Sequence, residues 1–69
     1  MLTIADYDPK SPIPARVVYA YEATRPDELS LMEDAIVFIL RKNEDGWYEG
    51  VMDGITGLFP GNYVSPLLD

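Results

Sequence analysis

The sequence contains neither histidine nor cysteine. Without these side chains, the chain has no Ser-His-Asp or Cys-His nucleophile, no disulfide and no metal site built on imidazole or thiolate ligands. Three serines have no evident general base, and paired carboxylates fall in predicted loops of a domain too small to enclose a dry cleft. We therefore expect a binding protein that is not an enzyme and uses no cofactor or metal.

Long apolar runs and basic clusters are also missing. The longest apolar run has six residues, 35–40, whereas a membrane-spanning helix needs roughly 20, and the start MLTIADYD lacks the pattern of a signal peptide. Twelve acidic residues against five basic ones give a net charge of −7. This balance disfavours nucleic acid and anionic membranes and favours a partner that carries basic residues. We expect a cytoplasmic monomer that does not insert into membranes.

The chain is long enough for one small domain only. With 69 residues, it buries about 60 % of the surface of its unfolded state. Residues 1–14 differ from the rest because they hold three prolines, and Pro9-Lys10-Ser11-Pro12 has the P-x-x-P spacing of a polyproline II stretch. We predict a flexible, proline-containing lead or linker over residues 1–14 and a folded domain over residues 15–67.

Short β-branched and aromatic runs alternate with turn signals in this domain, which is typical of a small barrel. Strands are predicted at residues 16–21, 35–40, 47–52, 55–59 and 63–64, with polar loops at 24–28 and 41–46. Asp53-Gly54 predicts a tight type I′ hairpin turn, and Pro60 should end the fourth strand because it cannot donate to a sheet. The expected fold is all-β, and the expected core residues are Val17, Leu29, Leu31, Val37, Ile39 and Phe59.

Aromatic residues remain after this core is filled. Tyr19 and Tyr21 are two residues apart, so on one strand both rings would leave the same face. Trp47 opens another strand, and Tyr63 follows the proline turn. Tyrosine hydroxyls need water or a partner, and Tyr and Trp are enriched at interfaces. We interpret these rings as a surface groove and not as core.

Four sequence blocks resemble the signature blocks of the Src-homology-3 (SH3) domain, in order. They are "VVYAYEA" at 17–23, "DELSL" at 27–31, "GWYEG" at 46–50 and "GLFPGNYV" at 57–64. The resemblance implies a five-stranded, partly open barrel with a short 3₁₀ turn before its last strand. It also implies a protein-interaction module that binds proline-rich segments in the polyproline II conformation.

The resemblance further implies roles for single residues. Tyr19 and Tyr63 would form one proline pocket, and Tyr21, Trp47 and Pro60 the next. Asn62 would donate to a ligand carbonyl, and Leu58 stands where such domains often carry an aromatic ring. A ligand Arg or Lys would pair with carboxylates of the two facing loops, namely Asp27, Glu28, Glu44 and Asp45.

Within the SH3 family, residues 27–50 and 56–64 are most similar to the C-terminal domain of the Abl-interactor (Abi) adaptors. That similarity implies an adaptor in actin-cytoskeleton and tyrosine-kinase signalling, with a cytoskeleton-associated location. Asp34 replaces a frequent turn glycine, and Asp tolerates the left-handed conformation better than most residues.

Two other functions stay open from the residues alone. An aromatic cage on a similar small barrel could read methylated lysine, because acids beside rings suit a cation. Alternatively, the domain could be structural or autoinhibited, with its groove folded onto the segment 9–14.

Overall fold

The computed structural model describes residues 12–67 as one antiparallel sheet. Its strands are β1 (Ile13–Val17), β2 (Ile36–Lys42), β3 (Trp47–Met52), β4 (Ile55–Pro60) and β5 (Val64–Pro66). A 3₁₀ helix, Gly61–Tyr63, precedes β5, and the sheet order is β4-β3-β2-β1-β5. The predicted all-β class with five strands and a short 3₁₀ turn before the last strand is confirmed. Over these residues, nothing helical is long and apolar enough to cross a membrane.

The core lies on one side of this sheet. It consists of seven buried side chains, and Phe59, Val17 and Val37 are the largest that are fully buried. Six of them are the predicted core residues, and Ala15 is the addition. Alternation along β2 explains this packing, because Val37 and Ile39 point inward while Ile36 and Phe38 are exposed on the outer face.

Turns with positive φ angles connect the strands. Asp53 and Gly54 have φ angles of 55° and 78°, as a type I′ turn between β3 and β4 requires. Asp34 has a φ of 69°, which confirms that this aspartate adopts the left-handed conformation ahead of β2. Both turns are predictable from the sequence because their chemistry is local.

The first strand begins and ends earlier than predicted, so the prediction of a strand over 16–21 is wrong. β1 pairs with β2 from Ile13↔Ile39 to Arg16↔Ile36, and the strand ends at Val17. Pro14, predicted to belong to the lead, is tolerated near the strand start, and its carbonyl accepts a bond from the Leu67 amide at 3.0 Å. Residues 1–11 lie outside the described residues, so the rest of the lead stays a prediction.

The second strand is longer than predicted. Arg41 and Lys42 belong to β2 and pair with Glu49 and Tyr48 of β3, past an irregularity in the register between Ile39 and Arg41. The polar loop therefore begins at Asn43. Cross-strand pairing can extend a strand through charged residues, because such pairs are favourable on an exposed face.

Candidate functional site

Four aromatic side chains form a continuous row on the surface of the barrel. Ring centroids lie 6.0 Å apart between Tyr19 and Tyr63 and 5.7 Å apart between Tyr63 and Tyr21. The row ends at Trp47, whose ring centroid is 6.0 Å from that of Tyr21. All three pairs meet edge to face, a geometry that aromatic rings favour. Tyr19 is 60 % exposed and the other three rings are half-buried, so the row is a surface feature with its base on the core.

Backbone bonds hold the Tyr19 end of this row. The carbonyl of Tyr63 accepts bonds from the amides of Val18 at 2.8 Å and Tyr19 at 3.2 Å. Tyr19 and Tyr21 therefore reach Tyr63 from an irregular segment after β1, and their predicted placement on one strand is wrong. The chain leaves the sheet after Val17 because the Tyr63 carbonyl, and not β2, takes the next amides.

Cross-strand pairing at the open end of the β3–β4 hairpin positions the end of the aromatic row at Trp47. Pro60 is the cross-strand partner of Trp47, and the Gly61 amide donates to the Gly46 carbonyl at 2.8 Å. These contacts seat the 3₁₀ helix against the β2–β3 loop. Asn62 is exposed in that helix, two residues after Pro60.

The loop between Tyr21 and Leu31 folds over β4. Tyr21 and Leu31 exchange backbone bonds of 3.0 and 2.8 Å that close its base. Nearer its tip, the Leu58 amide donates to the Asp27 carbonyl at 2.9 Å, and the Leu29 amide donates to the Leu58 carbonyl at 2.7 Å. The loop thus brings two carboxylates, those of Asp27 and Glu28, beside the end of the aromatic row.

An open hollow of about 430 Å³ separates this loop from the β2–β3 loop. We call it the acidic hollow, and six predicted site residues line it, namely Tyr21, Asp27, Glu28, Asp45, Trp47 and Leu58. Glu44 is exposed in the β2–β3 loop and is not among the lining residues. Sequence reasoning missed Thr24, Arg25 and Asn43, which complete the lining. Only their positions in the two facing loops could have indicated them.

Glu28 is the most constrained residue of the acidic hollow. Its Oε1 accepts bonds from the Tyr21 hydroxyl at 2.7 Å, the Thr24 amide at 2.8 Å and the Thr24 hydroxyl at 3.0 Å. The bond from the Thr24 amide, followed by that from Tyr21, lowers the pKa of Glu28 from its ordinary 4.5. The same carboxylate raises the pKa of Tyr21, so the hydroxyl stays protonated as a donor.

A second hollow lies across Trp47 from the first. Asp45 and Trp47 line both hollows, and Pro60 and Asn62 line the second one together with Gly46, Tyr48 and Gly61. The Oδ1 atom of Asp45 accepts the Trp47 amide at 3.0 Å, which ties this carboxylate to the tryptophan backbone. Trp47 is therefore central to the site.

This arrangement suits the binding of an extended ligand. Flat rings in a row offer apolar contact to an extended ligand, and the ionised carboxylates at one end offer pairing to a cation. Among residues 12–67, no His, Cys, Asp or Glu side chains group in the way a metal ion needs. One end of the groove is thus apolar and the other anionic.

Comparison with known proteins shows the family to which the chain belongs. The sequence model of the SH3 domain matches residues 16–61 of this chain. The chain is 45 % identical over 49 residues to human ABI gene family member 3, covering 71 % of this chain and 13 % of that protein. It is 44 % identical over 59 residues to the SH2/SH3 adapter protein dreadlocks of Drosophila melanogaster, covering 84 % of this chain and 11 % of that protein. The chain thus spans about an eighth of the length of these relatives.

A solved structure shares the fold. The C-terminal SH3 domain of myosin IB from Entamoeba histolytica, bound to a peptide named EhFP10(GEF), superposes with a TM-score of 0.77 at 33 % sequence identity. The match covers 84 % of this chain and 97 % of that domain. The predicted resemblance, including the similarity to the Abi adaptors, is confirmed, and the chain belongs to the SH3 domain family.

Proposed function

We propose that this SH3 domain binds proline-rich protein segments that adopt the polyproline II conformation and carry a basic anchor residue. The observation that carries the proposal is the row of four rings ending at the acidic hollow. Recognition of proline-rich polyproline II segments in aromatic-lined grooves is the documented mode of SH3 domains. The site residues are Tyr19, Tyr21, Asp27, Glu28, Asp45, Trp47, Leu58, Pro60, Asn62 and Tyr63, with Glu44 at the rim.

The geometry suits such a ligand for a physical reason. A polyproline II helix is rigid before binding, so flat rings can pack against its ridges at a small cost in ordering entropy. We expect two successive proline pockets along the row, one bounded by Tyr19 and Tyr63 and the next by Tyr21, Trp47 and Pro60. Ring centroids lie 6.0 Å apart in the Tyr19–Tyr63 pair and in the Tyr21–Trp47 pair, which supports this expectation. Asn62 is exposed beside them and can donate to a ligand carbonyl.

Charge supports the basic anchor. Asp27, Glu28 and Asp45 share the acidic hollow with one cation, Arg25. The net charge at this end of the groove is therefore negative, and the overall charge of −7 extends that field. A ligand Arg or Lys following the proline segment would meet these carboxylates beside Trp47.

The named relatives support a cellular role. One is a member of the ABI gene family, one is an SH2/SH3 adapter and one is myosin IB. We propose that this domain serves a cytoplasmic signalling adaptor associated with the actin cytoskeleton, where it recruits a proline-rich partner. It acts as an interaction module and not as an enzyme.

Titration of a proline-rich peptide against two matched variants tests the proposal. Trp47→Ala should weaken binding by about 30-fold or more, since truncation of a central interface residue costs about 2 kcal/mol. Phe38→Ala is the control, because Phe38 is an exposed aromatic on the outer face of β2, 42 % exposed. An equal loss of peptide affinity in both variants would contradict the assignment of Trp47 to a binding groove. A Trp47→Ala domain that is unfolded by circular dichroism would also contradict it.

The same titration separates the alternatives. A trimethyl-lysine peptide without prolines that bound more tightly than the proline-rich peptide would favour an aromatic cage. For the autoinhibited alternative, Pro14 is part of β1, and residues 9–11 lie outside the described residues. Deletion of residues 1–11 tests it, and this truncation should leave peptide affinity unchanged if the groove is open.

The basic anchor has its own test. Glu28→Lys should weaken a peptide carrying Arg more than the same peptide with Ala, by roughly tenfold, because a charge pair in a partly desolvated groove exceeds an exposed pair. The difference should shrink as salt rises, since screening acts over roughly 8–10 Å at ordinary ionic strength. Equal weakening of both peptides at every salt concentration would move the anchor away from Glu28.

A further inference from the structure

Glu28 does not offer both of its oxygens to a ligand. All three of its hydrogen bonds with described residues end on Oε1, which accepts from Tyr21 once and from Thr24 twice. A carboxylate oxygen has about two lone pairs, so Oε1 is saturated before a ligand arrives. Only Oε2 remains for the cation.

The number of free oxygens decides which cation a carboxylate prefers. A guanidinium gains most when its two parallel N–H groups reach both oxygens of one carboxylate. An ammonium acts as a point charge with rotatable donors, and one oxygen satisfies it equally well. A carboxylate with one oxygen occupied therefore loses its advantage for Arg.

We infer that Tyr21 and Thr24 are positioning residues that occupy Oε1 of Glu28, so that the groove accepts a lysine anchor about as well as an arginine anchor. The inference rests on the proposed function, because it names the ligand class of the same groove. Tyr21 thereby has two parts in recognition. Its ring stands between those of Tyr63 and Trp47 in the row, and its hydroxyl orients the anchor carboxylate.

Asp45 supports the same conclusion from the other side of the acidic hollow. Its Oδ1 accepts the Trp47 amide at 3.0 Å, so one of the two lone pairs of this oxygen is already used before a ligand arrives. Asp27 lines the hollow as well, and an Asp27→Asn control tests its contribution to anchor binding.

The experiment measures the affinities of three proline-rich peptides that differ only in the anchor, which is Arg, Lys or Ala. In the unmodified domain, the Arg and Lys peptides should bind within about threefold of each other, and both more tightly than the Ala peptide. The Tyr21→Phe/Thr24→Val double variant keeps the ring and the β-branched shape but removes both hydroxyl donors. The Thr24 amide stays on Oε1, and the loss of both hydroxyls leaves the other lone pair of that oxygen to a ligand. The variant should therefore raise the preference for Arg over Lys by up to about tenfold, since a second charge-assisted bond becomes available.

Controls distinguish this role from a merely structural one. Tyr19→Phe removes a hydroxyl at the far end of the row and should leave the Arg-to-Lys ratio unchanged, even if all three peptides weaken together. Asp27→Asn, in the otherwise unmodified domain, should also leave that ratio near one. An Arg preference of tenfold or more before any substitution, or an unchanged ratio in the double variant, would overturn the inference. Failure of every peptide to bind would instead refute the proposed function.

Discussion

Gly50 is the position where a single added methyl group should damage the fold most directly. A Cβ atom there would lie 2.6 Å from Cε2 of Phe59 and 2.7 Å from the carbonyl oxygen of Phe38. Phe59 is fully buried, and the Phe38 carbonyl belongs to the backbone of β2, so neither neighbour can withdraw cheaply. Gly50→Ala must therefore push β3 away from β2 or displace the largest core ring.

The cost follows from two opposing effects. Overpacking a core by a methyl group costs about 1–3 kcal/mol, and replacing Gly returns about 0.4–1 kcal/mol by restricting the unfolded chain. These ranges differ by about 0–2.6 kcal/mol, and we expect a net loss of about 1–2 kcal/mol because both close contacts are with atoms that cannot withdraw cheaply. A domain of this size has a total stability of roughly 3–10 kcal/mol, so the loss is a substantial fraction of it.

Urea unfolding followed by tryptophan fluorescence measures this loss. With a slope near 1 kcal/mol per molar, the midpoint should fall by about 1–2 M, and the melting temperature by roughly 5–15 °C. Adding Phe59→Leu should make the Gly50→Ala cost smaller by about 0.5 kcal/mol or more, because the two side chains compete for one space. A midpoint unchanged by Gly50→Ala, or fully additive costs in the double variant, would refute the reasoning.

Three further predictions concern the turn, the acidic hollow and the groove. Gly54→Val puts a β-branched residue at a φ of 78° and should destabilise the domain by about 1 kcal/mol or more. Stopped-flow kinetics should show slower folding, since SH3 domains are documented to fold through one structured hairpin. Faster unfolding with an unchanged folding rate would contradict this prediction. Because the folded pKa of Glu28 is below its ordinary 4.5, its contribution to stability is present above 4.5 and is lost as pH falls through the lower folded value. Glu28→Gln removes this titration, so its urea midpoint should fall less on acidification than that of the unmodified domain. Parallel changes of the two midpoints with pH would contradict this prediction. Tyr63→Ala should weaken a proline-rich peptide by about tenfold or more, because its ring contacts both Tyr19 and Tyr21, and isothermal titration showing no change would remove it from the groove.

Much of the fold is predictable from local chemistry. The core residues Val37 and Ile39 are predicted correctly, although the run 36–39 is apolar at every position, and Asp53-Gly54 specifies its turn because few residues tolerate two successive positive φ angles. Strand ends were less predictable. β1 begins at Ile13 and ends at Val17 because its partners in β2 lie there, and no residue near Val18 signals that end.

The candidate site likewise was predictable in part from the sequence. Residue types and the family resemblance indicate rings, prolines and carboxylates as candidates, and the structure brings Tyr19, Tyr21, Trp47 and Tyr63 into one row. The expectation that Tyr19 and Tyr21 share a strand gave a correct juxtaposition for an incorrect reason. Thr24 has no feature in the sequence that marks it, since its importance comes from a carboxylate four residues away.

By itself, the sequence determined the chemical limits of this protein. The absence of His and Cys removed the usual catalytic and metal-binding groups, the charge of −7 set the sign of its field, and turn residues with apolar alternation set an all-β chain. Only the tertiary structure decided which atoms are free to meet a ligand. Tyr21 and Thr24 come to share Oε1 of Glu28 because the loop closes through Tyr21 and Leu31 and is held on β4 through Leu58. Such a commitment depends on distances of about 3 Å between atoms, and sequence spacing does not determine those distances.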